Sequence, residues 1–396
     1  MKKWLSLMLI VVVIILSACT NEQSSSNQKA DVQVNTKDTN NSATTKVSGE
    51  ENKTAAEKTT GAAGKAGTTG SAELPEKLKK PVRIALVTRI TSGSFFNSYN
   101  KGVQEQVDAF GGDLKIYDSA NDLAKMASNI EAAVNEKVDA ILVNNGTAQA
   151  LEPAVKKALA AGIPVVAYDS DLNLPGVSAI NQDDYLLAWQ SLKKLAGDLN
   201  GKGNIAVLWV AGYLPMERRQ VIIDAFKKRY PNIKEVARFG SVTSNTSLDT
   251  QAQVEALLKK YPNPGDLNAI YSNWNEFTRG ALQALKQAGR TDIKVYGIDL
   301  TDEELPLFQD PNSPWQAASA TNPGDVGKVQ ARLAYQKIAG EQVPEDVSIE
   351  PHLIDRTVLP KEKISFTDLD KYVPGWGKSD EARSPWMTEL EKGLAK

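Results

Sequence analysis

From residue 82 onward, short apolar runs rich in Val, Ile and Ala alternate with longer stretches whose apolar positions recur every three to four residues. The short runs predict strands over 82–88, 114–117, 140–143, 165–168, 177–180, 205–209, 235–239, 269–272, 294–298 and 316–320. Each is the length of one buried strand bounded by turn residues. The longer stretches predict amphipathic helices over 95–110, 123–135, 148–161, 183–199, 216–229, 248–260, 276–288 and 323–339. Within 216–229, Val221, Ile222, Ala225 and Phe226 are expected on the buried face, opposite the charged residues. Gly162, Gly289 and Gly340 stand where helices should stop, since glycine readily takes the left-handed conformation that closes a helix.

Strand–helix–strand alternation implies parallel sheets, because a parallel neighbour is reached only through a crossover long enough to hold a helix. The expectation is an α/β chain with helices on both faces of its sheets. Ligands in such sheets sit beyond the carboxyl ends of the strands, so the residues after each strand are the candidates. They include Arg89-Ile90-Thr91 up to Phe95-Phe96-Asn97, Asn144-Asn145-Gly146-Thr147, Asp169-Ser170-Asp171 and Gly212 through Glu217-Arg218-Arg219. Further along come Asn273-Trp274-Asn275-Glu276, Asp299-Leu300-Thr301 and Thr321-Asn322. Carboxylates and amides make directed hydrogen bonds to hydroxyls. Aromatic rings cover the apolar C–H face of a sugar ring. That mixture suits a small polyol. Trp274 could line such a site or be buried structure, and Asp169 could be no more than a turn cap.

The first 77 residues are of different material. Lys2 and Lys3 precede an almost wholly apolar run over 4–16, followed by Leu16-Ser17-Ala18-Cys19. A basic start, a short apolar core and small residues at the end form a secretory signal over 1–18. The run is shorter than the roughly 20 residues that span a bilayer. Cys19 is the sole cysteine, so no internal disulfide can form. Leu16-Ser17-Ala18-Cys19 resembles the bacterial lipobox, which implies cleavage before Cys19, acylation of its thiol, and an extracytoplasmic protein lipid-anchored to the cell membrane. Residues 19–77 are rich in Ser, Thr, Asn, Gln, Ala, Gly, Lys and Glu and lack aromatics. Such a segment buries too little apolar surface to offset chain entropy, so a disordered tether is expected.

Charge narrows the function classes. The chain has 46 Lys and Arg against 48 Asp and Glu, with a formal net charge of −2 and no basic cluster, so a nucleic-acid partner is not expected. Asp169, Asp171 and Asn173 begin like a calcium loop, but Leu174 replaces the required glycine and Ile180 the closing glutamate. His352 is the only histidine, leaving no partner set for zinc or a Ser-His-Asp triad. No cofactor, no metal and no enzymatic activity are expected.

Three segments carry a family resemblance: Ile84-Ala85-Leu86-Val87 through Phe95-Phe96, Gly162-Ile163-Pro164-Val165-Val166 before Asp169, and Gly297-Ile298-Asp299. In order and spacing the chain from about 81 to 360 resembles the type I periplasmic binding proteins of the ribose-binding class. The resemblance implies two Rossmann-like lobes with parallel sheets, joined by three hinge crossings near Asn181, Asn322 and Glu350. It divides the chain into 78–180 with 322–350, and 181–321 with 351–396. It also implies a monomer that captures a monosaccharide or similar small polyol and delivers it to an ABC permease and ATPase. The site residues it implies are Arg89, Phe95, Phe96, Asp169, Ser170, Glu217, Arg219, Trp274, Asn275, Asp299 and Thr321, with Arg218 competing with Arg219 for one contact. Phe95 and Phe96 match the aromatic pair of the first lobe, Asp169 and Asp299 a carboxylate of each lobe, and Thr321 a position usually held by an amide. Ser170 and Trp274 depart from the family pattern, which points away from ribose itself. Arg89 and the Tyr168-Asp169-Ser170-Asp171 run also resemble the branch that binds rhamnose or the furanosyl autoinducer. A sensory receptor acting with a membrane kinase or chemoreceptor is therefore the alternative. A repressor of the same fold would need a DNA-binding helix pair where the signal segment and tether stand.

Overall fold

The computed structural model describes residues 73–377 and 380–393. The signal segment, Cys19 and the tether up to residue 72 lie outside the described residues.

Two six-stranded sheets organise the chain. The first contains β1 (Arg83–Thr88), β2 (Asp113–Asp118), β3 (Ala140–Asn144), β4 (Val165–Tyr168), β5 (Val177–Gln182) and β11 (Asp346–Ile349). Its order is β11-β5-β4-β3-β1-β2, parallel throughout. The second contains β6 (Gly203–Leu208), β7 (Ile233–Phe239), β8 (Ala269–Ser272), β9 (Lys294–Ile298), β10 (Trp315–Ala320) and β12 (His352–Asp355). It runs β12-β10-β9-β8-β6-β7, parallel except where β12 lies antiparallel on β10. The helices are α1 (Ser94–Ala109), α2 (Leu123–Asn135), α3 (Ala148–Ala160), α4 (Asp184–Asp198), α5 (Leu214–Arg229), α6 (Thr246–Lys260), α7 (Asn275–Gln287), α8 (Leu305–Gln309), α9 (Pro323–Ala339) and α10 (Met387–Gly393). The chain leaves the first sheet after β5, returns to it after β10, and leaves again between β11 and β12.

Period-two alternation puts each strand's residues against helices on both faces. In β1, Ile84 and Leu86 share a core with Val103 and Val107 of α1 and Val329 and Leu333 of α9. Ala85 and Val87 point the other way, into a core with Met126 and Ile130 of α2 and Leu151 and Val155 of α3. In β6, Ile205 and Val207 join Leu192 and Leu195 of α4 and Ile223 and Phe226 of α5. Ala206 and Leu208 face α6 and α7. The two helices beside the crossings touch backbone to backbone. A Cβ at Gly102 of α1 would lie 1.9 Å from the Gly324 carbonyl oxygen, and one at Gly327 of α9 would lie 2.3 Å from that of Tyr99. Only glycine permits that approach. It fixes the start of α1, with Phe95 and Phe96, relative to the second crossing.

Three expectations change. The buried stripe of α5 is Pro215, Met216, Arg219, Ile223 and Phe226, whereas Val221 is 57% exposed. The apolar count alone hid this, because a charged residue, Arg219, belongs to the inner face. Strands β11 and β12 were not anticipated; each is four residues long and carries polar side chains. Residues 351–396 do not all stay with the second sheet. Arg356 donates to the carbonyls of Ser313 and Asp310 beside that sheet. Ser384 instead donates to Glu341 at 2.6 Å and accepts from Gln336 at 2.9 Å. Trp386 donates to Glu341 and packs 6.5 Å from Phe110. A large indole is buried most cheaply where apolar surface already awaits it, here the outer side of α1 and α9.

Candidate functional site: the cavity between the two sheets

A cavity lies between the carboxyl ends of the two sheets. Its walls come from both. Ile90, Phe95, Phe96, Asn145, Asp169 and Gln182 belong to the first, and Val210, Tyr213, Pro215, Met216, Arg219, Val242, Trp274 and Asp299 to the second. Of the residues expected from sequence, Phe95, Phe96, Asp169, Arg219, Trp274 and Asp299 line it.

The two aspartates are built alike. Asp169 follows β4 and Asp299 follows β9, each only 3% exposed. Both adopt left-handed backbone, with φ of 46° and 70°, as does Asn145 after β3 at 58°. Asp and Asn tolerate this region better than other non-glycine residues. Three such residues at the strand ends of one cavity form a concentration of strain of the kind found at functional sites. Each backbone is nevertheless tied down: the Asp169 N–H donates to Ile180 O at 3.2 Å and the Asp299 N–H to Ser319 O at 2.9 Å. Each carboxylate has one oxygen, Oδ1, that is buried and without a hydrogen-bond partner. Burial pushes the Asp299 carboxyl up to about 7, even though the Arg219 charge pulls it down. Asp169 is raised well above the carboxylate range by burial and then by the charge of Asp184, with Arg219 and Arg218 opposing.

Arg219 supplies the positive charge. Its Nε donates to Asp184 Oδ1 at 2.8 Å and its Nη1 to the Asn273 carbonyl, with the guanidinium 2% exposed. A buried guanidinium held by a buried carboxylate keeps a fixed orientation and stays charged. Arg218, the competing position, turns to the crossing instead and donates to Asn181 Oδ1 at 2.7 Å. The aromatic wall is continuous. Phe95 and Phe96 meet edge to face with centroids 5.4 Å apart, Phe96 meets Trp274 across the cleft at 6.2 Å, and Trp274 rests on Phe277 at 5.5 Å.

Five expected residues lie outside the cavity. Arg89 reaches across its rim, donating to the Gly212 carbonyl and to Asn121 Oδ1, both at 2.9 Å, with its guanidinium 4.1 Å above the Tyr213 ring. Tyr213 also donates to Asn121 Oδ1 at 2.8 Å, so one asparagine joins both side chains. Asn275 donates to Ser94 Oγ at 2.6 Å, and Ser94 donates to Glu304 Oε1 at 2.7 Å. Glu276 accepts the Ser94 N–H at 3.3 Å, so the N-terminus of α1 meets carboxylates of the opposite half, where the helix dipole favours them. Ser170 donates to the Gly146 carbonyl and lines a separate hollow with Asp171, Asn181, Arg218 and Asp346. Glu217 is exposed and accepts the Gly212 N–H. Thr321 is buried and donates to Gln182 Oε1 at 2.8 Å.

Sequence reasoning missed Gln182 among the polar wall residues and named Asn145 only as a residue following a strand, outside the implied site. Gln182 stands at the end of β5, two residues beyond the predicted end of that strand. A polar residue continuing an apolar strand into a crossing was the available signal. With Oε1 held by Thr321, its amide nitrogen has no partner among the described residues.

Comparison with known proteins places the chain among relatives. Residues 84–342 match the family described as periplasmic binding protein domain. The chain is 28% identical over 274 residues to the ribose import binding protein of Bacillus subtilis (strain 168), covering 68% of this chain and 86% of that protein. Its structure is similar to that of a sugar ABC transporter protein from Yersinia enterocolitica, with a TM-score of 0.79 and 34% identity over 81% of this chain and 98% of the other. It is also similar to the 5-methylthioribose transporter solute binding protein of Thermotoga lettingae in complex with 5-methylthioribose, with a TM-score of 0.77 and 36% identity over 81% of this chain and all of the other.

Proposed function

Because the chain belongs to the periplasmic binding protein domain family, the non-enzymatic solute-binding proteins of sugar import, we propose that it holds a monosaccharide or small polyol in the cavity between its sheets and delivers it to an ABC importer while lipid-anchored through Cys19. The observation that carries the reading is the pair of buried aspartates from opposite halves, each with one oxygen lacking a donor. Two acceptors facing a cavity call for a ligand rich in hydroxyl donors. Arg219 and the free amide nitrogen of Gln182 supply donors for a ring oxygen or further hydroxyls. Phe95, Phe96 and Trp274 supply the surface on which a sugar ring stacks. Relatives that carry ribose and 5-methylthioribose by name support a ring of pentose size. Anchoring through Cys19 rests on the Leu16-Ser17-Ala18-Cys19 sequence.

A thermal-shift panel of pentoses, hexoses, deoxysugars and polyols tests the reading. At 100 times its dissociation constant a ligand stabilises the folded state by about 2.7 kcal/mol. For a domain of this size that corresponds to a rise of roughly 5–10 °C. A rise for amino acids or peptides and none for any sugar or polyol would overturn it.

A further inference from the structure

The cavity differs from end to end, and the strand order shows how. Counting outward from the crossings, the first sheet presents β5, β4, β3, β1 and then β2, and the second presents β10, β9, β8, β6 and then β7. Four polar wall residues follow the inner strands: Gln182 ends β5, Asn145 and Asp169 follow β3 and β4, and Asp299 follows β9, while Tyr213 and Arg219 come from the segment after β6. Apart from Trp274 after β8, apolar wall residues follow the outer ones: Ile90, Phe95 and Phe96 follow β1, Val210, Pro215 and Met216 follow β6, and Val242 follows β7. Neighbouring strands are about 4.8 Å apart, so β9 and β7 are separated by roughly 14 Å. A sugar ring is little wider than one such interval. A ring held by Asp169 and Asp299 therefore leaves the outer end of the cavity unfilled. Arg89 crosses that end, lying over Tyr213 and bonded to Gly212 and Asn121. Among its lining residues Ile90, Val210, Met216 and Val242 offer no side-chain hydrogen-bond group.

We propose that the ligand is a sugar carrying an apolar substituent, an alkyl or alkylthio group in place of a terminal hydroxyl, with its ring at the aspartates and the substituent in this outer chamber. The assignment rests on reading the cavity as a sugar site. A hydroxyl placed in the chamber loses water and gains no partner, a penalty of about tenfold or more in affinity. An alkyl group gains about fourfold per buried methylene. Val210, Met216 and Val242 are then the residues that determine specificity.

Isothermal titration of the full-length protein, freed of ligand, decides the matter with a graded series: ribose, 5-deoxyribose, and 5-deoxy-5-alkylthioriboses with methyl and ethyl groups. The alkylthio sugars should bind at least tenfold more tightly than ribose. Val210→Thr and Val242→Thr exchange a methyl for a hydroxyl at nearly constant volume, and each should shrink that ratio about fivefold. Val242 is only half-buried, so its variant gives the reading if Val210→Thr fails to fold. Ribose binding as tightly as the substituted sugars, or an unchanged ratio in both variants, would overturn the chamber assignment. If ribose binds and Asp169→Asn weakens it, while the substituent adds nothing, the chamber falls and the sugar reading stands. If no sugar binds, both fall.

Discussion

Replacing Asp299 by Asn is the most direct test of how the cavity grips its ligand, and the backbone dictates the choice. At φ of 70° an alanine would add a backbone penalty of about 1 kcal/mol or more, and loss of affinity could not be separated from loss of the fold. Asparagine tolerates that conformation and matches the carboxylate in size. What it removes is the charge, leaving a single carbonyl acceptor. Hydrogen bonds to a charged acceptor contribute about 1.5–3 kcal/mol net, roughly twice the neutral kind. One or two such bonds weakened to neutral strength cost about 1–3 kcal/mol, or roughly 5- to 150-fold in Kd. The same argument holds for Asp169→Asn, at φ of 46°. Without ligand the expectation reverses. Each carboxylate is buried with an unpartnered oxygen, so neutralising it removes a desolvation cost, and the ligand-free Tm should hold or rise. Titration calorimetry with the best sugar from the panel gives Kd, and differential scanning calorimetry gives the ligand-free Tm. Unchanged affinity in either variant, or a ligand-free Tm many degrees below the parent, would show that the aspartate is a structural turn residue and no ligand contact.

Other outcomes follow from the same geometry. Trp274 lines the cavity and meets Phe96 across it, so ligand should change the tryptophan fluorescence and Trp274→Phe should remove most of that change; a full signal in the variant would reassign it to another indole. Burial between the two halves raises the Asp299 carboxyl to about 7; in an open cleft it would meet water and titrate in the ordinary range near 4. A pKa raised by closure favours closure at low pH and loses that advantage as pH rises through about 7, so small-angle scattering should find the ligand-free protein more compact at about pH 5.5 than at about pH 8; equal dimensions across that range would refute it. Cys19→Ala should release the protein from membranes or leave its signal segment uncleaved; normal processing with unchanged membrane attachment would refute anchoring through Cys19.

The fold was legible because its strands are apolar on both faces. Runs such as Ile84 to Val87 and Ile141 to Val143 are buried wholly, and alternating with amphipathic helices they fit a helix-covered parallel sheet. Strands β11 and β12 escaped because each is four residues, short and mixed in polarity, and forms only by pairing with an existing sheet edge. The aspartates were legible for a related reason: a carboxylate directly after an apolar strand has few places to go except a cleft or a turn. Side-chain direction was not. Arg218 and Arg219 are adjacent, yet successive helical residues point about 100° apart, so a shift of one residue decides which enters the cavity. Asn275, Thr321 and Arg89 have the chemistry of ligand contacts. Their partners, Ser94, Gln182 and Gly212, lie 181, 139 and 123 residues away along the chain, and such pairings appear only once the fold is known.

These displaced residues contribute to holding the two halves in the closed form. Left-handed backbone at Asn145, Asp169 and Asp299 and two unpartnered carboxylate oxygens all count against it. Set against them are contacts that join the halves at the margins of the cavity: Ser94 with Asn275 and Glu304 at one side, and Arg89 with Gly212 and Tyr213 at the other. Hydroxyl donors relieve the unpartnered carboxylate oxygens; the joining contacts do not depend on them. Ligand chemistry and cleft closure are thus assigned to different side chains. A substitution in the clasp should shift the balance between open and closed forms for every ligand alike, whereas one in the wall should change which ligand is preferred. A binding protein must also release its cargo to a transporter, and that division lets release be triggered at the rim, by prising Arg89 or Ser94 from its partners, while Asp169 and Asp299 remain as they are.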